Sequence, residues 1–296
     1  MSRLYDALRR IEKEKRQPGA AAPEPGKAVE LLSNIMAPPA NTTDGPSATT
    51  NVGKASRLVA LTDPHSLGAE KFRALVARLE SLRQRQKREL KSLQITSAVI
   101  NEGKSLVAAN LAVTLVKHFG YRVLLVEGDL HRPTLTTLLG LSNLEGINQW
   151  WRRREDDKET DPCIYKLDDM PLWFLSAGST CDQPSQILQS ARFAESFVRL
   201  AGGFDWVVVD STPMSPTVDV NLWSRLVDGS LLVVREGVTP IKALQMGVKG
   251  LDNPKWLGVV LNEASDFDRV NYTDQYYGVK KKENRRQKQM KAKAVS

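Results

Sequence analysis

Cysteine, long apolar runs and aromatic side chains are all scarce in this sequence, and each scarcity removes a class of protein. The only two cysteines, Cys163 and Cys181, are too few for a disulfide framework and have neither the CxxC spacing nor the histidine pair of a zinc site. The longest apolar runs, such as WVVVD (206–210) and GSLLVVRE (229–236), fall far short of the roughly 20 residues that cross a bilayer. The start of the chain has no charged-then-apolar signal peptide, so a cytoplasmic protein is expected. Aromatics make up 6% of the chain, and no base-stacking platform or recognition motif accompanies its basic residues. Nucleic acid is therefore not an expected partner.

What is present suffices for one sizeable core. A chain of 296 residues with 41% hydrophobic content fits a single α/β domain with appendages. The net charge of +8 is uneven: eight Lys and Arg between Lys280 and Lys293 face only Glu283, and the rest of the chain is nearly neutral. Residues 279–296 read as a basic, disordered tail. The same charges suit an anionic membrane surface, which would place the protein peripherally at the inner face of the cell membrane.

At the other end, Leu4, Leu8 and Ile11 share one face of a short amphipathic helix over residues 1–17, too small to fold alone. Residues 18–56 hold Pro18, Pro23, Pro25, Pro38, Pro39 and Pro46 among Ala, Thr, Asn and Gly, the composition of a flexible linker. Residues 57–278 carry the domain. It opens on a long surface helix over 66–90, with Ser66 as its cap and Phe72, Leu75, Val76, Leu79 and Leu82 along one face.

Beyond residue 91 the pattern is strand, loop, helix, repeated. SLQITSAV, YRVLLVEGD, LWFLSAG, FDWVVVD, SLLVVRE and KWLGVVLN are apolar throughout, as strands buried on both faces must be. Helical stretches lie between most of them. The fold class is α/β: a doubly wound, mostly parallel sheet with helices on both faces. Ligands in such sheets sit at the C-terminal ends of the strands.

One of those ends carries ITSAVINEGKSLVAAN (95–110). Ala98–Ser105 fits A-x-x-x-x-G-K-S, a Walker A phosphate loop, between an apolar strand and an apolar helix. Main-chain amides of such a loop converge on phosphate oxygens, and the helix N-terminus adds positive potential. Lys104 then reaches the β- and γ-phosphates of ATP and Ser105 ligates Mg²⁺. Asn101 and Gly103 tolerate the dihedral angles a tight cradle imposes, and Glu102 and Leu106 complete the nucleotide-binding segment. Magnesium also needs carboxylates. Glu127 and Asp129 stand where VLLVEGD stops, and Asp210 ends FDWVVVD.

The phosphate loop, LLVEGDLHRP, FDWVVVDSTP and the closing LGVVLN together resemble the bacterial tyrosine kinases of polysaccharide biosynthesis, a branch of the MinD-like P-loop ATPases. The resemblance spans about residues 60 to 278, and MSRLYDALRRIEKEK looks like the start of the group's cytoplasmic members. It implies a Walker A at Ala98–Ser105, a Walker A′ at Glu127–Asp129 and a Walker B at Asp210. Lys104 and Ser105 would bind phosphates and Mg²⁺, Asp129 and Asp210 would hold the metal, and Asn262 would contact the adenine. The implied activity is protein-tyrosine autophosphorylation that regulates exopolysaccharide production. The acceptors would be Tyr272, Tyr276 and Tyr277, which are three of only six tyrosines. A separate membrane-bound activator or polysaccharide co-polymerase is the implied partner.

Three departures stand out. The family has aspartate where this chain has Glu127, which would act as the tyrosine's base with its carboxylate extended by one methylene; about 1 Å of misplacement can lower a rate 100-fold. The ring-assembly pattern E-x-x-R-x-x-R keeps Glu70 and Arg73 but has Val76 in third place, leaving homo-oligomer formation through this helix open, with Arg78 on another face. Walker B continues STP where a double proline is usual. A catalytically weak nucleotide-binding regulator therefore stays as an alternative. A partitioning ATPase switch is disfavoured, because its signature lysine position is Val99. INQWWRRREDDKETDPC (147–163) reads as an excursion beside the site or a helix end folded on the body.

Overall fold

The computed structural model describes residues 45–53, 57–85, 90–153, 161–180, 183–214, 218–251 and 255–264. The expected N-terminal helix, the basic tail, Cys181 and Tyr272, Tyr276 and Tyr277 lie outside the described residues. So does most of the expected linker.

Eight strands among the described residues form one sheet in the order β1-β4-β5-β3-β6-β2-β7-β8. These are β1 (Ser47–Ala48), β2 (Ser92–Ser97), β3 (Val123–Glu127), β4 (Tyr165–Leu167), β5 (Leu172–Leu175), β6 (Trp206–Asp210), β7 (Gly229–Arg235) and β8 (Trp256–Asn262). Every pairing is parallel except β4 with β5. Central strands bury both faces, and their alternating side chains feed two main cores, with Leu232 entering a smaller cluster of Ala98, Met214 and Val220. Leu93, Ile95, Val123, Leu125, Val208, Leu231 and Val233 enter one; Leu124, Val126, Val207 and Val209 enter the other. Helices cover each side, as a doubly wound sheet requires.

Helix α1 (Val59–Thr62), α2 (Leu67–Arg85) and α3 (Lys104–Phe119) close the first core. The Ser66 hydroxyl caps α2 by accepting from the Ala69 amide at 3.2 Å. Val76 and Leu79 are buried, with Phe72, Leu75 and Leu82 packed beside them. Helix α3 is apolar nearly all round because it lies between the sheet and α2, and Gly120 in the left-handed region ends it. Fully burying a Leu or Val contributes roughly 1.5–3 kcal/mol, so packing between layers, rather than helix propensity, holds these elements.

Helix α4 (Leu135–Leu138) also packs on the first core through Leu135 and Leu138, while the second face is covered by α5 (Ile147–Arg152), α6 (Pro184–Gln189), α7 (Ala191–Ala201) and α8 (Asp219–Leu226), with α9 (Ile241–Lys249) beside β7. Trp150 is buried on this side and meets Phe193 edge-on, and the Arg192 guanidinium sits 4.4 Å from its ring centre. The first half of INQWWRRR is thus a helix end folded on the body, not an excursion. Composition also extends the linker too far. Residues 45–53 hold the edge strand β1, where Lys166 donates to the Pro46 carbonyl and Thr50 donates twice to Asp168, at 2.9 and 2.6 Å. Two ladder residues and one carboxylate order a stretch that has too little apolar surface to signal itself.

Candidate nucleotide site

The C-terminal ends of β2, β6 and β3 lie side by side, and each ends in a loop that carries one expected functional group. After β2 the chain enters Ala98–Gly103, where Asn101 and Gly103 take φ of 63° and 90°. These left-handed turns let successive amides face one concavity, the nest that holds anions, and α3 begins at its floor. A side chain at Gly103 is excluded twice, by its φ and by the Asn262 amide, which would lie 2.2 Å from any Cβ there.

Glu102 is buried and folds back over its own loop. It accepts from the Val99 amide at 2.8 Å and from the Thr239 hydroxyl after β7, while its carbonyl accepts from Asn262 at 2.8 Å. Its side chain therefore braces the cradle. Asn262, expected at the adenine, also directs its amide at the loop backbone. Leu106 packs its side chain against the first core, leaving its main chain as the part that lies at the helix mouth.

Lys104 is the centre of charge. Its ammonium lies 2.9 Å from Asp129 Oδ2 and 3.7 Å from Asp210 Oδ1. Burial works against its charge, but Asp210 and Asp129 outweigh burial and hold its pKa above the ordinary lysine value. Asp210 is fully enclosed. Burial raises its pKa to about 6 against the opposing pull of Lys104 and the nearby Ser105 hydroxyl, while Asp129 and Glu127 push it up further. Neither Asp210 oxygen has a hydrogen-bond partner of normal geometry among the described residues. A buried carboxylate left open in this way, beside the Ser105 hydroxyl, is a donor set that fits a hard cation with phosphate oxygens completing its shell.

Asp129 reaches the lysine because of Gly128. A Cβ on Gly128 would come within 2.7 Å of Val209 and 2.9 Å of Trp223, whose indole donates to the Gly128 carbonyl at 3.0 Å. That close packing turns the chain beyond β3 inward. Asp129 Oδ1 also accepts from the Arg132 amide at 3.0 Å, which fixes the turn that follows.

Glu127 pairs in register with Asp210, yet its carboxylate does not join Lys104. It accepts from the Thr136 amide at 2.9 Å and the Thr136 hydroxyl at 2.7 Å. On the other side it takes the Ala177 amide at 3.1 Å and the Ser176 hydroxyl at 3.3 Å. Sequence reading missed Thr134, Thr136, Ser176 and Thr239. Thr134 shares a 2.7 Å hydrogen bond with Ser105, and no local pattern distinguishes these hydroxyls from ordinary loop residues.

The chain matches no protein-family model. Single relatives are clear. It is 30% identical over 225 residues to the tyrosine-protein kinase YwqD of Bacillus subtilis, covering 75% of this chain and 92% of that protein. It is 33% identical over 220 residues to the succinoglycan biosynthesis transport protein ExoP of Rhizobium meliloti, covering 71% of this chain and 27% of ExoP. Among solved structures, the kinase domain of the Escherichia coli tyrosine kinase ETK matches with a TM-score of 0.62 at 25% identity, over 73% of this chain and 81% of that domain.

Proposed function

The chain belongs to the bacterial protein-tyrosine kinases, and from that membership we propose that it transfers the γ-phosphoryl group of ATP to tyrosines of its own C-terminal segment, Tyr272, Tyr276 and Tyr277, to regulate exopolysaccharide production. The observation that carries this reading is Lys104 between Asp129 and Asp210 at the mouth of a phosphate loop. An incoming triphosphate competes with Asp129 for the lysine, whose charge then follows the γ-phosphoryl group. The tyrosine oxygen bonds to the γ-phosphorus as the bond to the β,γ-bridging oxygen breaks. ADP leaves, and the phenolic proton passes to a carboxylate. Because a free phenol has a pKa near 10, that acceptor matters at neutral pH.

Ser105, Asp129 and Asp210 would hold Mg²⁺. When bound, it neutralises charge on the phosphates. The loop's amides and the positive end of α3 position the triphosphate, and in-line placement supplies much of the rate.

The same reading includes a separate membrane-bound activator or polysaccharide co-polymerase, since ExoP is by name a biosynthesis transport protein and the match covers 27% of it. Among the described residues no helix is long and apolar enough to cross a membrane. The eight Lys and Arg between Lys280 and Lys293 would hold the chain against an anionic leaflet, each contributing about 1 kcal/mol near the surface. Self-association through α2 would use Glu70 and Arg73.

Labelled ATP tests the central step. The protein, alone and with a candidate activator, is expected to gain phosphotyrosine within residues 272–277, and Lys104→Met to gain none. Equal labelling of the Lys104→Met protein refutes the assignment of the site. Nucleotide binding with no phosphotyrosine under any activating condition leaves a nucleotide-dependent regulator instead.

A further inference from the structure

Three acids stand at the ends of β3 and β6, and their surroundings differ in kind. Asp129 and Asp210 face the Lys104 ammonium. Glu127 faces four donors from two other elements, Thr136 N and Oγ1 at α4, and Ala177 N and Ser176 Oγ beyond β5. Three of these donors converge on Oε2 and Thr136 N holds Oε1, and the side chain is fully buried. A tyrosine hydroxyl would have to enter this enclosed position, between α4 and the end of β5, to give its proton to Glu127.

The contacts also lead somewhere. Thr136 lies in the single turn of α4, and Thr134, at the start of that turn, holds the Ser105 hydroxyl at 2.7 Å. Glutamate has the reach for this connection. Its carboxylate spans from Thr136 at α4 to Ala177 beyond β5, and an aspartate would withdraw it by one methylene.

We propose that Glu127 is a positioning residue that anchors α4 to β5 and thereby sets Thr134 against Ser105, and that it is not the acceptor of the tyrosine proton. The inference rests on the kinase reading above for its chemistry and on the hydrogen bonds alone for its geometry. It separates this chain from the expectation that Glu127 replaces a catalytic aspartate.

Three variants of the full chain decide it: Glu127→Gln, Glu127→Asp and Thr136→Val, the last leaving every carboxylate in place. Steady-state kinetics with Mg·ATP are read beside two measurements that need no turnover. These are the affinity for a fluorescent ADP and hydrogen exchange of the amides at 134–138. A positioning role predicts that Glu127→Gln, whose NH₂ would face donors, raises KM and weakens ADP binding but keeps kcat within about tenfold, below the 10²–10⁴ that a general base contributes. It predicts that Glu127→Asp raises KM severalfold, weakens ADP binding and speeds exchange at 134–138. Thr136→Val does the same and adds nothing to Glu127→Asp, as expected for residues in one network.

The contrary result is a kcat loss of about 100-fold or more in Glu127→Gln at unchanged KM, with Glu127→Asp as active as the parent or more so. Should the parent itself transfer no phosphate to tyrosine, the kinase reading fails. The positioning claim is then still decided by ADP affinity: non-additive weakening supports it, and unchanged affinity in Glu127→Asp and Thr136→Val overturns it.

Discussion

Asp210 is fully enclosed, neither of its carboxylate oxygens has a hydrogen-bond partner of normal geometry among the described residues, and burial raises its pKa to about 6 from an ordinary 3.8. The folded protein therefore keeps this proton to higher pH than the unfolded chain does. Stability from this group falls as pH rises from about 4 to 6 and stays lower above that range. Asparagine does not titrate. The advantage of Asp210→Asn over the parent in urea unfolding should widen across that window by about 3 kcal/mol, two pK units being worth that much, and stay level above pH 6. Parallel stability curves for the two proteins would contradict it.

Such tension is expected where a carboxylate is kept for a ligand rather than for the fold. Lys104, Asp129 and Asp210 were legible in the sequence because strand, glycine-rich loop and helix fix where they project. Glu127 was not. An acid at a strand end looks the same in sequence whether it faces a lysine or a set of amides, and the donors that claim it are 9, 49 and 50 residues away.

Among the elements, α2 shows how a motif position can belong to the core. Val76, third in the ring-assembly pattern, has no exposed surface and packs with Leu79 against the first core. Arg73 donates to the Pro64 carbonyl at 2.8 Å, while Arg78 is exposed. Restoring the pattern as Val76→Arg would bury an unpaired guanidinium, at a penalty of several kcal/mol. The variant should melt far below the parent and form no ring. A stable Val76→Arg protein that sediments as a larger ring would show instead that this face opens on assembly.

The six apolar strands and the helices between them were visible from their apolar runs, although the edge strand β8 leaves Val259 and Leu261 exposed. β1 and β4 were not, being two and three residues long. Their order comes from partners distant in sequence: Thr50 reaches Asp168, and Ala48 accepts from the Asp168 amide. A pattern method needs several alternating residues to register a strand, and these offer too few.

Among the described residues, the sheet gathers the ends of β2, β6 and β3 on one edge, packed between the two main cores. The phosphate loop is tied to neighbours on both sides, through Glu102 to Thr239 after β7 and through Ser105 to Thr134 at α4. Asn262, at the end of β8, is the last described side chain to touch the loop, and the tyrosine cluster begins ten residues beyond it. In sequence, the tyrosines proposed as acceptors follow the strand that braces the phosphate cradle.

The most direct test is a crystal structure of the full chain with Mg²⁺ and a non-hydrolysable ATP analogue. The account predicts the β- and γ-phosphates on the amides of 101–105, with Lys104 moved from Asp129 to the γ-phosphate. Magnesium should be held by Ser105, Asp129 and Asp210, and Glu127 should still be bound by Thr136 and Ala177. An analogue seated elsewhere, or a triphosphate whose metal is held by Glu127, would contradict it.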